Sequence, residues 1–163
     1  MTAYFWFWKT AHILSATILF GSGIAIAFFC WFGYRNAMKS GELDSLRAVL
    51  RLTVMADAWL TAPAVVFQAV SGIVLMKSLG WPMASAWSAA VWGLFLFVGL
   101  CWLPVVWIQV VLKTEAARVS TIEALLPQFH RRFKWWFALG VPAFMAVVLL
   151  FYLMAAKSLP VNL

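Results

Sequence analysis

The chain has 163 residues, of which 66% are hydrophobic and only 10% are charged. Soluble domains carry about 25% charged residues, so a water-soluble globule is excluded and an integral membrane protein is implied. The net charge of +7 does not mark a nucleic-acid binder. The Lys and Arg residues sit in short polar intervals between apolar runs, which is the pattern of membrane orientation signals.

A helix needs about 20 apolar residues to cross the hydrocarbon core. Four runs meet this length, at about Ala3–Phe32, Val54–Met76, Trp87–Leu112 and Phe133–Ala156. The first is read as a permanent helix. It has no basic segment ahead of its apolar stretch and no small-residue cleavage site at its end, so it does not read as a cleavable signal. The breaks are "YRNAMKSGELDSLR", "LGWPMAS" and "KTEAARVSTIEALLPQFHRR". The expected fold is an all-α, integral membrane four-helix bundle forming a single four-span domain.

Charge sets the expected orientation. The first break and its flank hold Arg35, Lys39, Arg47 and Arg51, and the third holds Lys113, Arg118, Arg131 and Arg132, with Lys134 just beyond. Lys9, Lys77 and Lys157 fall on the other side. Nine against three places the first and third loops in the cytoplasm and both termini outside. Trp6, Trp8, Trp81, Trp87, Trp135 and Trp136 fall near the ends of the runs, as an interfacial aromatic belt would. Cys30 and Cys101 lie in the inner halves of apolar runs and are expected to be packing residues rather than a disulfide. Pro63, Pro104 and Pro142 interrupt spans two, three and four, and are read as bends made for packing.

At 100° per residue, Phe5, Lys9, His12, Ser15, Ala16, Leu19, Gly23, Ala27 and Cys30 form one stripe of the first span. Phe7, Leu14, Ile18 and Phe28 face the opposite way, toward lipid. In span two, Asp57, Thr61, Ala64, Gln68, Ser71, Gly72 and Leu75 share a face. Such small and polar stripes mark helix–helix seams in membranes. Asp57 and Gln68 are expected to point inward and to hydrogen-bond to another helix.

Ionisable side chains at membrane depth are expensive, which singles out Lys9 and His12. Three readings of His12 are open: an axial ligand of haem iron, a hydrogen-bonded structural histidine, or a copper ligand together with Met76, Met83 or Met154. Zinc would need three or four ligands, and the sequence has no HxxxH, CxxC or acidic cluster to supply them. His130 lies at the other face of the membrane and cannot share a metal with His12. Lys9 precedes His12 by three residues and is expected to meet a haem propionate or to snorkel to the interface.

The stretches "KTAHILSATILFGSG", "TAPAVVFQAVSGIVLM" and "RRFKWWFALGVPAFMAVVLLFYLMAAK" resemble an uncharacterised bacterial family of predicted integral membrane proteins. More distantly, Lys9, His12, Phe20, Gly21 or Gly23, Pro63, Gly72, Arg132 to Lys134 and Pro142 resemble positions of two groups. These are the four-helix, haem-containing protoporphyrinogen oxidases and the copper-resistance protein D group. The resemblance to the oxidases implies haem b held at His12. The chain departs from them in span three, where Trp87–Val106 lacks the His and Lys they carry, and before Pro142, where Ala138 to Val141 stand in place of a polar-acidic pair.

The expectation is therefore a haem b-binding protein of the bacterial inner membrane, serving electron transfer or haem handling. Its site would comprise His12, Lys9, Ser15, Ala16 and Gly23. The alternative is an accessory or assembly subunit without cofactor. Expected partners are the lipid bilayer and a membrane protein or a second copy of the chain, with no nucleic acid.

Overall fold

In the computed structural model, residues 3–156 are described. Lys157, which entered the charge comparison, lies outside them. Four long helices follow one another: α1 Ala3–Ser40, α2 Leu43–Ser78, α3 Ala86–Arg118 and α4 Pro127–Ala156. All four are long and apolar enough to cross a membrane, and no strand occurs among the described residues. This is the all-α membrane bundle that the composition implies.

The helices run further than the apolar runs. At 1.5 Å per residue, the 38 residues of α1 span about 57 Å, against about 30 Å of hydrocarbon. Of the first polar break, only Gly41 and Glu42 are outside a helix. Gly41 takes the left-handed conformation, φ 76°, and its N–H donates to the Ala37 carbonyl at 3.0 Å. A glycine ends a helix this way because it lacks the Cβ that would clash. The break is helical because it is amphipathic: Leu43, Leu46 and Leu50, at helical spacing, are buried while Asp44 and Arg51 face out.

α2 is interrupted by a π turn over Asp57–Thr61, where the Ala62 N–H reaches back to the Asp57 carbonyl. Pro63 follows at once and has no N–H to give. α2 ends in a Schellman turn on Gly80, φ 59°. There Trp81 N–H donates to Met76 O and Gly80 N–H to Lys77 O. The Ser85 side chain caps α3, accepting from the Ser88 N–H at 3.2 Å. Pro104 and Pro142 lie inside α3 and α4, both of which continue past them.

α1 and α2 form one antiparallel hairpin, and α3 and α4 form another. The two hairpins join chiefly through Leu43–Ala56 of α2 against α3, at the end that carries the first and third connections. The core sits there, built on Leu46, Leu50, Leu112, Ala116, Phe129 and Phe133. Arg47 ties the hairpins together, donating from Nε to Ala116 O at 3.0 Å and from Nη2 to Val119 O at 2.7 Å. It thereby places a cation on the carbonyl end of α3. Arg132 pairs with Glu115 across α3 and α4 at the same end.

Toward the other end the hairpins part. α1 touches α4 far less than it touches α2, so a fork opens between them. Trp136 departs from the aromatic-belt expectation: it is buried in the core cluster. Its neighbour Trp135 is exposed, because consecutive helical residues point about 100° apart.

Candidate functional site

His12 lies in the seam between α1 and α2. Its Nδ1 is 2.7 Å from Ser71 Oγ, and Ser71 Oγ is 2.6 Å from the Phe67 carbonyl oxygen. That short contact needs the Ser71 proton between the two oxygens. Ser71 therefore accepts from His12, and His12 carries its proton on Nδ1. The Nε2 lone pair is left free, with no hydrogen bond to it among the described residues. Beside the ring, a Cβ placed on Gly72 would stand 3.6 Å from Cε1, so the seam is close here. Gln68 Nε2 donates to the His12 backbone carbonyl at 2.7 Å, which pins α1 to α2 and shows Gln68 directed inward, as its stripe implies.

The other sequence-singled residues spread along α1. Ser15 is buried and donates to Ala64 O at 3.3 Å. Ala16 is half-buried. Lys9 is exposed, its ammonium 5.3 Å from the Trp6 ring centre and 6.0 Å from that of Phe5. This arrangement fits an interfacial lysine. Gly23 is 11 residues beyond His12, about 16 Å along the helix, and lines the fork. His12, Ser15 and Ala16 thus lie together with Lys9 one turn away on an exposed face, whereas Gly23 stands apart.

His130 is at the far end. Its Nδ1 is 2.6 Å from the Tyr34 hydroxyl, and Tyr34 lies 22 residues from His12 on the same helix, about 33 Å away. The two histidines cannot meet. Of the methionines weighed as copper ligands, Met76 is buried while Met83 and Met154 are exposed. No group of three His, Cys, Asp or Glu side chains suited to a metal is found among the described residues. Cys30 and Cys101 are free and buried.

A second polar station lies in the fork. Here α1, the π turn of α2, α3 and α4 enclose a cleft of about 520 Å³. Its floor holds Asp57, 5% exposed, and Gln109, 3% exposed. Trp102 Nε1 donates to Asp57 Oδ1 at 3.2 Å, so Asp57 also points inward and bonds to another helix. Its second oxygen does not: Asp57 Oδ2 and Gln109 Oε1 are both buried without a hydrogen-bond partner. Thr61 and Gln109 both stand beside the carboxyl, and Thr61 shares its hydroxyl with Ser22 at 3.1 Å. The π turn contributes to this placement, because the extra residue turns the chain's face just where Asp57 and Thr61 sit. Such turns are frequent at functional sites.

Trp102 and Gln109 were not singled out by the sequence reading. The available signal was Gln109 itself, an uncharged polar side chain within the apolar run Trp87–Leu112. No curated protein and no solved structure matches this chain. A family model does match, and it covers nearly the whole bundle just described. The chain belongs to the family described as predicted integral membrane protein (DUF2269), which it matches over residues 7–158.

Proposed function

We propose that this multi-pass protein resides in the bacterial inner membrane with both termini outside, and that it holds haem b at His12 for electron transfer or haem handling. The observation that carries the reading is the Ser71 hydroxyl. By donating to Phe67 O it fixes the His12 proton on Nδ1 and leaves Nε2 as the free donor atom that iron requires. His12 would hold the group through Nε2, and Ser71 is the partner that orients the ring. Ser15, Ala16 and Gly72 keep the neighbouring seam small. Bound haem would supply one-electron chemistry there. Lys9, one turn nearer the interface, would be placed to meet a propionate. The distant resemblance to the haem-containing oxidases supports the same assignment by analogy.

A second reading is favoured by a specific observation. Both Nδ1 of His12 and its backbone carbonyl are already bonded to α2, which is what a purely structural histidine needs. In that reading the chain is an accessory or assembly subunit without cofactor, docking a larger membrane protein or a second copy of itself.

The visible spectrum of the purified protein separates the two. A Soret band is expected in wild type and lost in His12→Ala, reduced in Lys9→Ala and unchanged in His130→Ala. Ala16→Phe should also lose pigment if the macrocycle lies against this face. A colourless, normally helical wild type would leave only the subunit reading. Orientation is read by thiol labelling of Ser40→Cys in intact cells, since both native cysteines are buried. Labelling from the periplasm would reverse the topology.

A further inference from the structure

The fork cleft has unused acceptors at its floor, aromatic walls and an exposed rim. The rim is formed by Ile24 and Phe28 of α1 and Val141 of α4, which are 44%, 54% and 51% exposed. On a helix pair of this hydropathy, that exposure is to lipid. Two aromatic contacts bracket the opening: Phe20 stacks on Phe144 at 5.1 Å on one side, and Trp31 meets Phe137 at 4.8 Å on the other. Between Phe20 and Trp31, α1 rises about 16 Å. The cleft is a lateral window into the bilayer.

The chemistry of the floor narrows the occupant. Asp57 Oδ2 and Gln109 Oε1 are both acceptors and both unpaired, so the complementary head is a hydrogen-bond donor. An acceptor without a donor is costly at membrane depth, and the lining also holds one unpaired donor, Trp136 Nε1, so a hydroxyl, which both donates and accepts, suits the floor. No Lys, Arg or His lines the cleft. A phosphate or carboxylate head would therefore meet Asp57 without a counter-charge, which excludes anionic lipid heads. Trp31, Trp102, Trp136 and Phe137 line the cleft, and such an aromatic lining favours a flat ring over an alkyl head. A volume of about 520 Å³ lies within the usual range of small-molecule sites.

We propose that the fork cleft is a lateral binding site for a membrane-soluble phenol or hydroquinone with an apolar tail, its ring hydroxyl donating to Asp57 Oδ2. Gln109 Oε1 accepts a second donor where the ring carries one. Trp102 positions the carboxyl by holding its other oxygen. The site does not depend on haem at His12, whose partner Ser71 lies 14 residues along α2 from Asp57, about 20 Å.

The test uses the whole protein in lipid nanodiscs and the redox-inert probe 4-decylphenol, with binding read by tryptophan quenching and by native mass spectrometry. Saturable binding is expected. 4-Decylanisole, which has the ring without the donor, and decan-1-ol, which has the donor without the ring, should bind at least about tenfold more weakly. Asp57→Leu should cost about tenfold, while Asp57→Asn, which keeps a carbonyl acceptor, should stay within about threefold. Gly140 lines the cleft, and a Cβ there meets nothing within 4 Å. Gly140→Phe should therefore fill the cleft and abolish binding while the helical spectrum is kept. The proposal is overturned if wild type shows no saturable binding, if the anisole binds as well as the phenol, or if decylammonium binds more tightly than either. Binding unchanged in both Asp57→Leu and Gly140→Phe would also overturn it. The comparison of phenol with anisole on wild type decides the matter even where a variant fails to fold.

Discussion

The closed end of the bundle and its forked end treat the same residue types in opposite ways. At the closed end, a Cβ on Gly33 would stand 2.5 Å from Val49 Cγ2, so α1 and α2 are as near there as glycine allows. In the fork, Cβ atoms on Gly23 and Gly140 would meet nothing within 4 Å. The polar groups divide similarly. Arg47 makes three hydrogen bonds at the closed end, whereas Asp57 uses one carboxylate oxygen and leaves the other bare. Within the α1–α2 seam, further along the forked half, Ser71 and Gln68 are both bonded. Glu115 Oε2 at the closed end is also buried without a partner, but its other oxygen is paired with Arg132, whereas the two bare acceptors of the fork line an open cleft.

Substitutions can break or sharpen this contrast. The largest effect is expected at Gly33→Leu, where overpacking against the branched Val49 side chain should cost about 2 kcal/mol. Reversible unfolding in mixed micelles would read it. A variant as stable as wild type would show that the closed end is not tightly packed. Next comes Ser71→Ala, expected to lose about 1 kcal/mol because it strands the His12 N–H in the seam. The same assay on Asp57→Asn provides the counterpart. Since Oδ2 has no partner to lose and Oδ1 can still accept from Trp102, its loss should be smaller than that of Ser71→Ala. A larger loss would mean that the fork is a structural seam after all.

Smaller still is Gln68→Leu, at roughly 0.6 kcal/mol, the usual worth of an interhelical hydrogen bond in a bilayer. Last is Gly140→Ala, which should stay within about 0.5 kcal/mol of wild type, as open positions do. A clear loss there would mean that α4 stands closer to its neighbours than the fork implies.

Much of the lipid-facing surface was legible from periodicity. Phe7, Leu14, Ile18 and Phe28, placed outward by a 100° projection, are all exposed. The inward stripe of α2 was equally legible: Asp57, Thr61, Ala64 and Ser71 are buried. The stripe of α1 was shifted. Its deeply buried residues are Phe5, Ser15, Ser22, Ile26, Cys30 and Ala37, three of them in the expected stripe, and their mean direction is rotated by roughly 40° from it. The anchor caused the error. An ionisable residue near a helix end can reach the interface, so Lys9 did not mark the interior. The first polar break was read as a loop because charge dominates its composition, but its leucines recur at helical spacing and bury themselves.

The sequence by itself determined that the chain has four helices able to span a membrane, which faces meet lipid, and which polar residues of α2 point inward. Hydropathy and helical periodicity are local properties, and they carry that much. Only the tertiary structure decided that the two hairpins close at one end and part at the other. It alone brought Asp57 of α2, Trp102 and Gln109 of α3, and Gly140 of α4 around one cleft. The angle between packed hairpins depends on how many small contacts across four helices balance at once, and no single helix records that balance in its own pattern.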